Sequence, residues 1–344
     1  GMYNTVYYVS YSTVSGGYSN MVYGHYGTIS GGYDNYVTSY ASTVGGGQYN
    51  AQYSSYNTIS GGQYNRAYSY AAVVGGGLDN TVYGSWGSIG GGEYNVAYSY
   101  CSHISGGNNN SVYGYTAYVG GGDYNRAYGY CTSIGGGEDN SAYYSWTSIG
   151  GGRENLVSDK WSNVAGGYDN SVYNDWSAIA SGYGNKIYTQ YSGIHGGFSN
   201  TIYSYTTSIV GGSAQRSYGS YQSIINSYGT KVYGAYTSEH GYDNYANAYS
   251  ASILGGSSST VRGSYSIVSG ATESVTYSSY AGIHGGHSNI VSGTWGIIGG
   301  GYGNELKTSP AAGIDGGMSH KIAYGYSSSI LGGESNTIGA FYYE

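Results

Sequence analysis

An asparagine that recurs every fifteen residues is the feature that most constrains how this chain folds. A glycine lies three residues before each of these asparagines, and an isoleucine or valine lies nine residues after it. A unit of this size cannot bury its apolar side chains alone, so neighbouring units must stack. The repeat therefore predicts a solenoid in which equivalent residues form ladders. The asparagines of the uninterrupted array are Asn20, Asn35, Asn50, Asn65, Asn80, Asn95, Asn110, Asn125, Asn140, Asn155, Asn170, Asn185 and Asn200.

The register continues beyond this array, with substitutions. Gln215 and Thr230 occupy the asparagine position, one residue is then lost, and the spacing resumes at Asn244. Sixteen-residue steps occur at the start of the chain and twice near its end. The repeat can be followed through 23 units without a linker. We therefore expect a single domain over residues 1–344.

The irregular spacings concentrate in two places. They fall near residues 226–247 and 305–320, and the second stretch contains "ELKTSPAAG" with the only proline of the chain. Proline has no backbone N–H to donate to a strand ladder. We expect a bulge or loop in each of these stretches.

Each repeat shows the alternation of a short strand. With the asparagine as slot zero, slot two is small or branched and apolar, slot three is tyrosine in long runs, and slot four is glycine or serine. A period of two is typical of a β-strand, and nothing in the pattern indicates a helix. A second strand starts near slot nine, and the glycines turn the chain. The predicted fold is an all-β solenoid of about 23 fifteen-residue coils. Its core ladder includes Ile29, Val44, Ile59, Val74, Ile89, Ile104, Val119, Ile134 and Ile149.

Tyrosine dominates the aromatic residues, with 51 tyrosines against two phenylalanines. An apolar core accepts phenylalanine readily, whereas a buried tyrosine also needs a partner for its hydroxyl group. The excess predicts rings on the surface, with Tyr98 and Tyr100 facing outward. Large exposed aromatic patches mark interaction surfaces. The predicted exposed stripe consists of Tyr53, Tyr68, Tyr83, Tyr98, Tyr113, Tyr128, Tyr143, Tyr173, Tyr188, Tyr203, Tyr218 and Tyr233.

The charge argues against a nucleic-acid partner, and the hydropathy argues against a membrane-spanning segment. The net charge is −7 with only ten lysines and arginines, so the basic patch of a nucleic-acid binder is absent. No apolar stretch approaches the roughly 18 residues of a membrane span. We expect neither a nucleic-acid partner nor a membrane span.

The phrases "YSTVSGGYSN" (11–20), "YASTVGGGQYN" (40–50) and "YNTISGGQYN" (56–65) resemble the head repeats of YadA-like trimeric autotransporter adhesins. Related arrays in that family read N-x-A-x-G-x-x-S-x-I-x-G-G. The resemblance covers nearly the whole chain. It implies a left-handed parallel β-roll, often trimeric, displayed outside a bacterial cell for adhesion. The sequence lacks the family's coiled-coil stalk and membrane anchor, and its tyrosine stripe exceeds the family pattern.

Cysteine and histidine residues fall in ordinary repeat positions. Cys101 and Cys131 both lie in slot six, two units apart. With fifteen residues per coil they stand about 9.6 Å apart and cannot form a disulfide, whereas a thirty-residue coil would stack them directly. We favour fifteen. His195, His240 and His284 all fall in slot ten, and their spacing gives no dense metal cluster.

Acidic residues beside the asparagines raise the question of calcium. Turn aspartates bind calcium in some glycine-rich repeats, but the second spaced glycine and its following aspartate are missing here. We therefore expect no cofactor, with calcium as the one alternative. No serine, histidine and aspartate are singled out from their equivalents, and no helix follows the glycines to cradle a phosphate, so we expect no enzyme. The aspartates concerned are Asp79, Asp123, Asp139 and Asp169.

The pattern favours an extracellular or cell-surface structural protein. Gly1 occupies the glycine slot and Glu344 lies eight residues after the last asparagine, so consecutive copies would omit only three residues of a unit. Head-to-tail stacking into a filament is therefore the expected self-association, with lateral or trimeric association through the aromatic stripes. The main alternative is an adhesin or phage-fibre head that binds glycans or a host surface through its tyrosine and tryptophan rings.

Two further classes are less well supported by the sequence. An ice-binding solenoid would be expected to show regular threonine rows, but slot eight mixes several residue types. A disordered tyrosine-, glycine- and serine-rich chain is disfavoured by the regular isoleucine and valine column.

Overall fold

The structure is a computed structural model that describes residues 1–339. Contacts between residues divide the chain into two compact units, unit 1 (residues 1–172) and unit 2 (from residue 173). Each unit is a parallel β-solenoid, and the described residues include no helix. Every coil contributes two short strands, one to each of two parallel sheets.

Unit 1 contains strands β1 to β23, each two residues long. The odd-numbered strands form one sheet, the odd-strand sheet, and the even-numbered strands form the even-strand sheet. In chain order the strands are Thr5–Val6, Thr13–Val14, Met21–Val22, Thr28–Ile29, Tyr36–Val37, Thr43–Val44, Ala51–Gln52, Thr58–Ile59, Arg66–Ala67, Val73–Val74, Thr81–Val82, Ser88–Ile89, Val96–Ala97, His103–Ile104, Ser111–Val112, Tyr118–Val119, Arg126–Ala127, Ser133–Ile134, Ser141–Ala142, Ser148–Ile149, Leu156–Val157, Asn163–Val164 and Ser171–Val172.

Unit 2 contains strands β24 to β45 with the same alternation between the two sheets. Several of its strands are longer than those of unit 1. In chain order they are Ala178–Ile179, Lys186–Ile187, Gly193–Ile194, Thr201–Ile202, Ser208–Val210, Arg216–Ser217, Ser223–Tyr228, Lys231–Val232, Ser238–Tyr242, Tyr245–Ala246, Ser252–Ser257, Thr260–Val261, Ile267–Ser269, Val275–Thr276, Gly282–Ile283, Ile290–Val291, Ile297–Ile298, Glu305–Leu306, Gly313–Ile314, Lys321–Ile322, Ser329–Ile330 and Thr337–Ile338.

Neighbouring coils pair with an offset of one repeat. In the even-strand sheet Val74 lies between Ile59 and Ile89, and in the odd-strand sheet Val82 pairs with Ala97. One coil therefore uses fifteen residues, and the predicted parallel β-solenoid is confirmed. The chain makes about 22 turns, because the last of the 23 repeats contributes only one strand to the described residues. The left-handed sense of the coil stays a prediction.

The interior of each unit is a column of apolar side chains from both sheets. Slots two and nine point inward, since alternate residues of a strand face opposite sides. Ile104 and Val112, from consecutive strands, are both fully buried. All nine residues of the predicted core ladder are buried. Burying one such side chain stabilises the fold by about 1.5–3 kcal/mol.

From Asn20 to Asn200 the repeating asparagine is buried and closes the turn of its coil. The Asn95 side-chain N–H group donates to the carbonyl oxygens of Gly91 (3.1 Å) and Gly107 (2.8 Å). Its Oδ1 atom accepts from the backbone N–H of Asn110 at 3.0 Å. One side chain thus satisfies three backbone groups on two coils, which explains why a polar residue occupies a fully buried position.

The glycine three residues before the asparagine is required by close packing of the coils. Gly92 has φ of +90°, and a Cβ atom there would lie 2.0 Å from the Gly107 carbonyl oxygen and 2.8 Å from Asn95 Nδ2. A side chain would therefore clash with the backbone of the next coil as well as being strained.

The two stretches with irregular spacing differ in structure. Within 226–247 the pairing of β30 with β32 shifts register between Ile225 and Tyr228, which accommodates the missing residue as a bulge. Near 305–320 the strands keep their register across a sixteen-residue step, with Leu306 opposite Ile322. The additional residue is therefore taken up in a turn outside the strands.

Candidate functional site: two aromatic columns

The stacking of coils gathers the slot-three tyrosines into a row, here called the tyrosine column. Each tyrosine directly follows an odd-numbered strand, and its backbone N–H bonds to the next coil, as Tyr53 does to the Ala67 carbonyl oxygen at 2.9 Å. From Tyr53 to Tyr143 in unit 1, successive ring centroids are 4.5–5.3 Å apart and the rings are within 12° of parallel. From Tyr173 to Tyr233 in unit 2 the distances are 4.5–5.2 Å.

Stacking decides which part of each ring meets solvent. The faces of neighbouring rings cover one another, and what remains exposed is a line of ring edges and hydroxyl groups. Tyr98, for example, is 41% exposed although both of its faces are stacked, against Tyr83 and Tyr113. The repeat of this line is close to the 4.7–4.9 Å spacing of strands in any β-sheet.

Four hydroxyl groups of the tyrosine column, those of Tyr68, Tyr98, Tyr128 and Tyr188, have a raised pKa. Burial raises the pKa of Tyr98, and the neighbouring Tyr113 raises it further. The pKa of Tyr128 is raised in the same way, by burial first and then by Tyr143 and Tyr113. Tyrosine hydroxyl groups are uncharged at neutral pH, so the column presents groups that both donate and accept hydrogen bonds.

A second row of rings, the corner column, lies where each coil turns between its two strands. In unit 1 the Tyr56 ring lies 5.6 Å from Tyr40 and 5.2 Å from Tyr70. The column consists of Tyr11, Tyr26, Tyr40, Tyr56, Tyr70, Trp86, Tyr100, Tyr115, Tyr130, Trp146 and Trp161 in unit 1, and of Trp176, Tyr191, Tyr205, Tyr221, Tyr236, Tyr249, Tyr265, Tyr280 and Trp295 in unit 2.

The corner column takes one ring per coil, from slot five or from slot six. Rings from the same slot stack, as Tyr100 and Tyr115 do at 9°. Rings from different slots meet edge to face, as Tyr130 and Trp146 do at 65°. Slot-six residues have left-handed backbone, with φ of 63° at Trp146. Both slots therefore supply rings to one column, with an orientation that depends on the slot.

This rule also explains the cysteines. Cys101 and Cys131 occupy slot six in coils whose ring comes from slot five, at Tyr100 and Tyr130. Both thiols are free and partly exposed. Thr116 occupies the same slot in the coil between them, with its Oγ1 atom 3.1 Å from Cys131 Sγ. The two cysteines are small residues that accompany a neighbouring ring.

The other candidate site residues do not converge. His240 lies in β32, and His195 and His284 directly follow β26 and β38, each in a different coil. Two of the four turn aspartates form ion pairs: Asp79 with Arg66 at 2.7 Å and Asp139 with Arg126 at 3.1 Å. Within residues 1–339 no group of three or more histidine, cysteine or acidic side chains is arranged to hold a metal ion.

The sequence predicted the tyrosine column as a stripe but not the corner column as a single row. The usable signal was the exclusion between slots five and six, where a ring in one accompanies a small or polar residue in the other. No helix among the described residues is long and apolar enough to cross a membrane. No protein-family model matches the sequence, and no curated protein matches it significantly. The chain is a parallel β-solenoid that carries the tyrosine column and the corner column, and unit 1 has a shorter third row of rings, which runs through Tyr3, Tyr18, Tyr33, Tyr49 and Tyr64.

Proposed function

We propose that this chain is a structural protein that assembles into tyrosine-rich filaments outside the cell. The observation that carries the proposal is the tyrosine column, whose rings repeat every 4.5–5.3 Å from Tyr53 to Tyr143 and from Tyr173 to Tyr233. A solenoid face has the same repeat along its axis. The ring edges and hydroxyl groups of one copy are therefore commensurate with the coils of another.

Lateral association follows from this match. Apolar ring edges lose water when two copies pack side by side, and each hydroxyl group meets a donor or acceptor at the same repeat. Because the hydroxyl groups are neutral at physiological pH, packing the columns together brings no charge repulsion. The low content of charged residues, 8% of the chain, acts in the same direction.

Growth along the solenoid axis is supported by the uniform pairing of coils. The same backbone bonds recur from coil to coil, such as Thr58 N–H to the Ala72 carbonyl oxygen and Thr43 N–H to the Asn57 carbonyl oxygen. A strand edge that lacks a partner is a template for another strand. Where a coil edge is free, a second copy can therefore continue the ladder head to tail.

The extracellular location rests on the resemblance to the head repeats of YadA-like adhesins, which act outside the cell. That resemblance also supports an adhesin that binds glycans through its ring stripes. The tyrosine column gives this alternative less support, because sugars stack on ring faces and the faces in the column are covered by neighbouring rings. Filament formation through ring edges is therefore preferred.

The proposal is tested by imaging the purified full chain at increasing concentration. We expect filaments in electron micrographs, gathered into bundles. Replacing Tyr83 and Tyr98 by serine interrupts the tyrosine column and should reduce bundling several-fold, while filament length is preserved. The matched control replaces Tyr94 and Tyr124 by serine and should leave bundling unchanged. These two residues are 46% and 47% exposed and lie outside both columns.

Two results would contradict the proposal. Isolated particles of single-chain mass at high concentration, measured by sedimentation, would exclude assembly. Bundling that is equally sensitive to the column variant and to the control variant would exclude the tyrosine column as the lateral contact.

A further inference from the structure

The corner column of unit 2 is interrupted after Trp295, which leaves this tryptophan with an open face. Tyr265 stacks on Tyr280 at 5.1 Å, and Tyr280 stacks on Trp295 at 4.2 Å and 6°. The next coil has no ring in this position, because Pro310 and Ala311 are the backbone equivalents of the two slots that supply one. Trp295 is therefore stacked on one side by Tyr280, and the equivalent position of the following coil carries Ala311, which has no ring. Its side chain is 58% exposed.

Ala311 corresponds to Trp295 in backbone, although it lies seven residues after its asparagine and Trp295 lies six after its own. Its N–H bonds to the carbonyl oxygen of Thr294, just as the Trp295 N–H bonds to that of Ser279. Both residues have left-handed backbone, with φ of 54° and 63°. The row of rings is therefore interrupted because residue 311 is alanine, while the backbone of this coil has the same conformation as in the preceding coil.

The interruption continues along the coil as a recess. Ala311 is followed by Ala312 and Gly313, and these small residues form the floor of a recess of about 370 Å³. Gly313 pairs with Ile297 on one side and with Ser329 on the other, so a residue without a side chain lies between two that have one. This volume is within the range of about 300–1,000 Å³ typical of small-molecule sites.

The walls of the recess combine three kinds of chemistry. Trp295 supplies an aromatic face, and Ile297, which is 49% exposed, extends the apolar wall. Asp315 supplies a carboxylate that accepts hydrogen bonds, and serine hydroxyl groups at 327–329 both donate and accept. An apolar face beside convergent polar groups requires a ligand that is itself apolar on one face and rich in hydroxyl groups at its rim.

We propose that this recess binds a pyranose sugar residue. The C–H groups on one face of a pyranose carry partial positive charge and pack on the negative face of the indole ring. The sugar hydroxyl groups then donate to Asp315 and exchange hydrogen bonds with the serines. The site is separate from the tyrosine column and does not require filament formation.

The test is saturation-transfer NMR of the full chain with methyl β-glucopyranoside, methyl β-galactopyranoside and the β-1,4-linked tetrasaccharides of glucose and N-acetylglucosamine. We expect transfer to the C–H protons of one sugar face for at least one probe. Trp295→Ala should weaken that binding by about tenfold or more, equivalent to about 1.4 kcal/mol. Tyr265→Ala is the matched control, because this ring belongs to the same column but does not line the recess.

Two further variants close the recess while the fold is kept. Ala311→Tyr continues the corner column over Trp295, at a backbone conformation that already accepts rings at Tyr280 and Trp295. Gly313→Leu fills the floor, since a Cβ atom there would meet only the Ile297 carbonyl oxygen, at 3.9 Å. Both should abolish binding, with an unchanged circular-dichroism spectrum.

Absence of transfer to all four probes would overturn the proposal. So would binding that persists in Trp295→Ala and Ala311→Tyr, since the sugar would then lie elsewhere. Concentration-dependent broadening that depends on Trp295 without any sugar binding would assign the open face to a ring of a second copy instead, and this result would also overturn the proposal.

Discussion

Unit 1 and unit 2 share one coil geometry but differ in what fills the asparagine position. In unit 1 the ladder is unbroken from Asn20 onward, and each rung repeats the same bonds to glycine carbonyl oxygens. In unit 2 other polar residues interrupt it. These are Gln215, Thr230, Ser259, Ser274 and His320.

The replacements show what the ladder has to supply. Gln215 keeps both donor bonds of an asparagine, to the carbonyl oxygens of Gly211 at 2.9 Å and Ser227 at 2.8 Å. Its Oε1 atom, however, is buried without a partner. Ser259 donates to the Ala271 carbonyl oxygen at 3.0 Å and accepts from the Ser274 N–H. A shorter or longer side chain therefore satisfies only part of what asparagine satisfies.

Part of unit 2 compensates with its backbone. Around Gln215 and Thr230 the even-numbered strands lengthen to five or six residues, in β30, β32 and β34, whereas beside His320 β42 and β44 stay two residues long. In these longer strands backbone N–H and carbonyl groups of the turn bond to one another, whereas in other coils the asparagine side chain binds them. The comparison shows that the coil persists without asparagine where another side chain makes part of its turn bonds, as Gln215 and Ser259 do, or where longer strands add backbone pairing.

The largest expected effect is the loss of one rung in the unbroken ladder. Asn95→Leu leaves three backbone groups of two coils buried without partners, each costing about 1–3 kcal/mol, so the free energy of unfolding should fall by about 4 kcal/mol. Gln215→Leu removes only two bonds and should cost less. Denaturant unfolding of both variants measures the difference. Equal losses would show that the rungs of the two units are energetically equivalent.

A carboxyl group in the core of unit 2 makes its stability depend on pH. Glu239 is fully buried in the apolar ladder, between Ile224 and Ile253, and Asn244 donates to its Oε1 atom at 3.0 Å. Burial raises its pKa to about 7, although hydrogen bonds from Asn244, Ser227 and Thr230 oppose the shift.

The pKa of Glu239 is higher in the folded than in the unfolded chain, so protonation of this carboxyl group stabilises the fold. This contribution to the free energy of unfolding is complete at low pH and is lost as the pH rises through the folded pKa. Relative to Glu239→Gln, the wild-type chain should lose about 3 kcal/mol between roughly pH 4.5 and 7 and then level off. Unfolding of both proteins at pH 4, 6 and 8 measures this. A wild-type profile parallel to that of the glutamine variant would contradict the buried-carboxyl explanation.

The smallest effect is expected at the surface, where the two units follow the same rule. Tyr115→Thr leaves one coil of unit 1 without a ring in the corner column and should cost about 1 kcal/mol. Adding Thr116→Tyr returns a ring from the adjacent slot and should recover most of that loss. In unit 2 the exchange Ala235→Tyr with Tyr236→Ala is the matched experiment.

Thermal unfolding of the single and exchanged variants measures the recovery. If the exchanged variants are no more stable than those without a ring, the two slots do not supply one column. A recovery in unit 1 alone would show that the core difference between the units extends to their surfaces.

Much of the fold was predictable because every coil has to bury the same apolar slots against its neighbours. The fifteen-residue period, the buried isoleucines and valines and the absence of helix from the described residues all follow from the repeat. Glu239 was not predictable as a core residue, since its slot is apolar elsewhere and its partner Asn244 lies across a bulge. The interruption of the corner column was also missed, because the "SPAAG" stretch looked like a loop insertion.

The sequence alone determined the coil: its length, its glycine turns, its apolar column and the outward position of tyrosine. It did so because residues that repeat at a fixed spacing must stack in register once the apolar slots are buried. Only the tertiary structure decided how the rings meet. Whether two rings stack, cross or leave a face open depends on contacts between residues fifteen or sixteen positions apart and on the backbone conformation at each corner. That is why the covered faces of Tyr98 and the open face of Trp295 have different chemistry although both are surface rings.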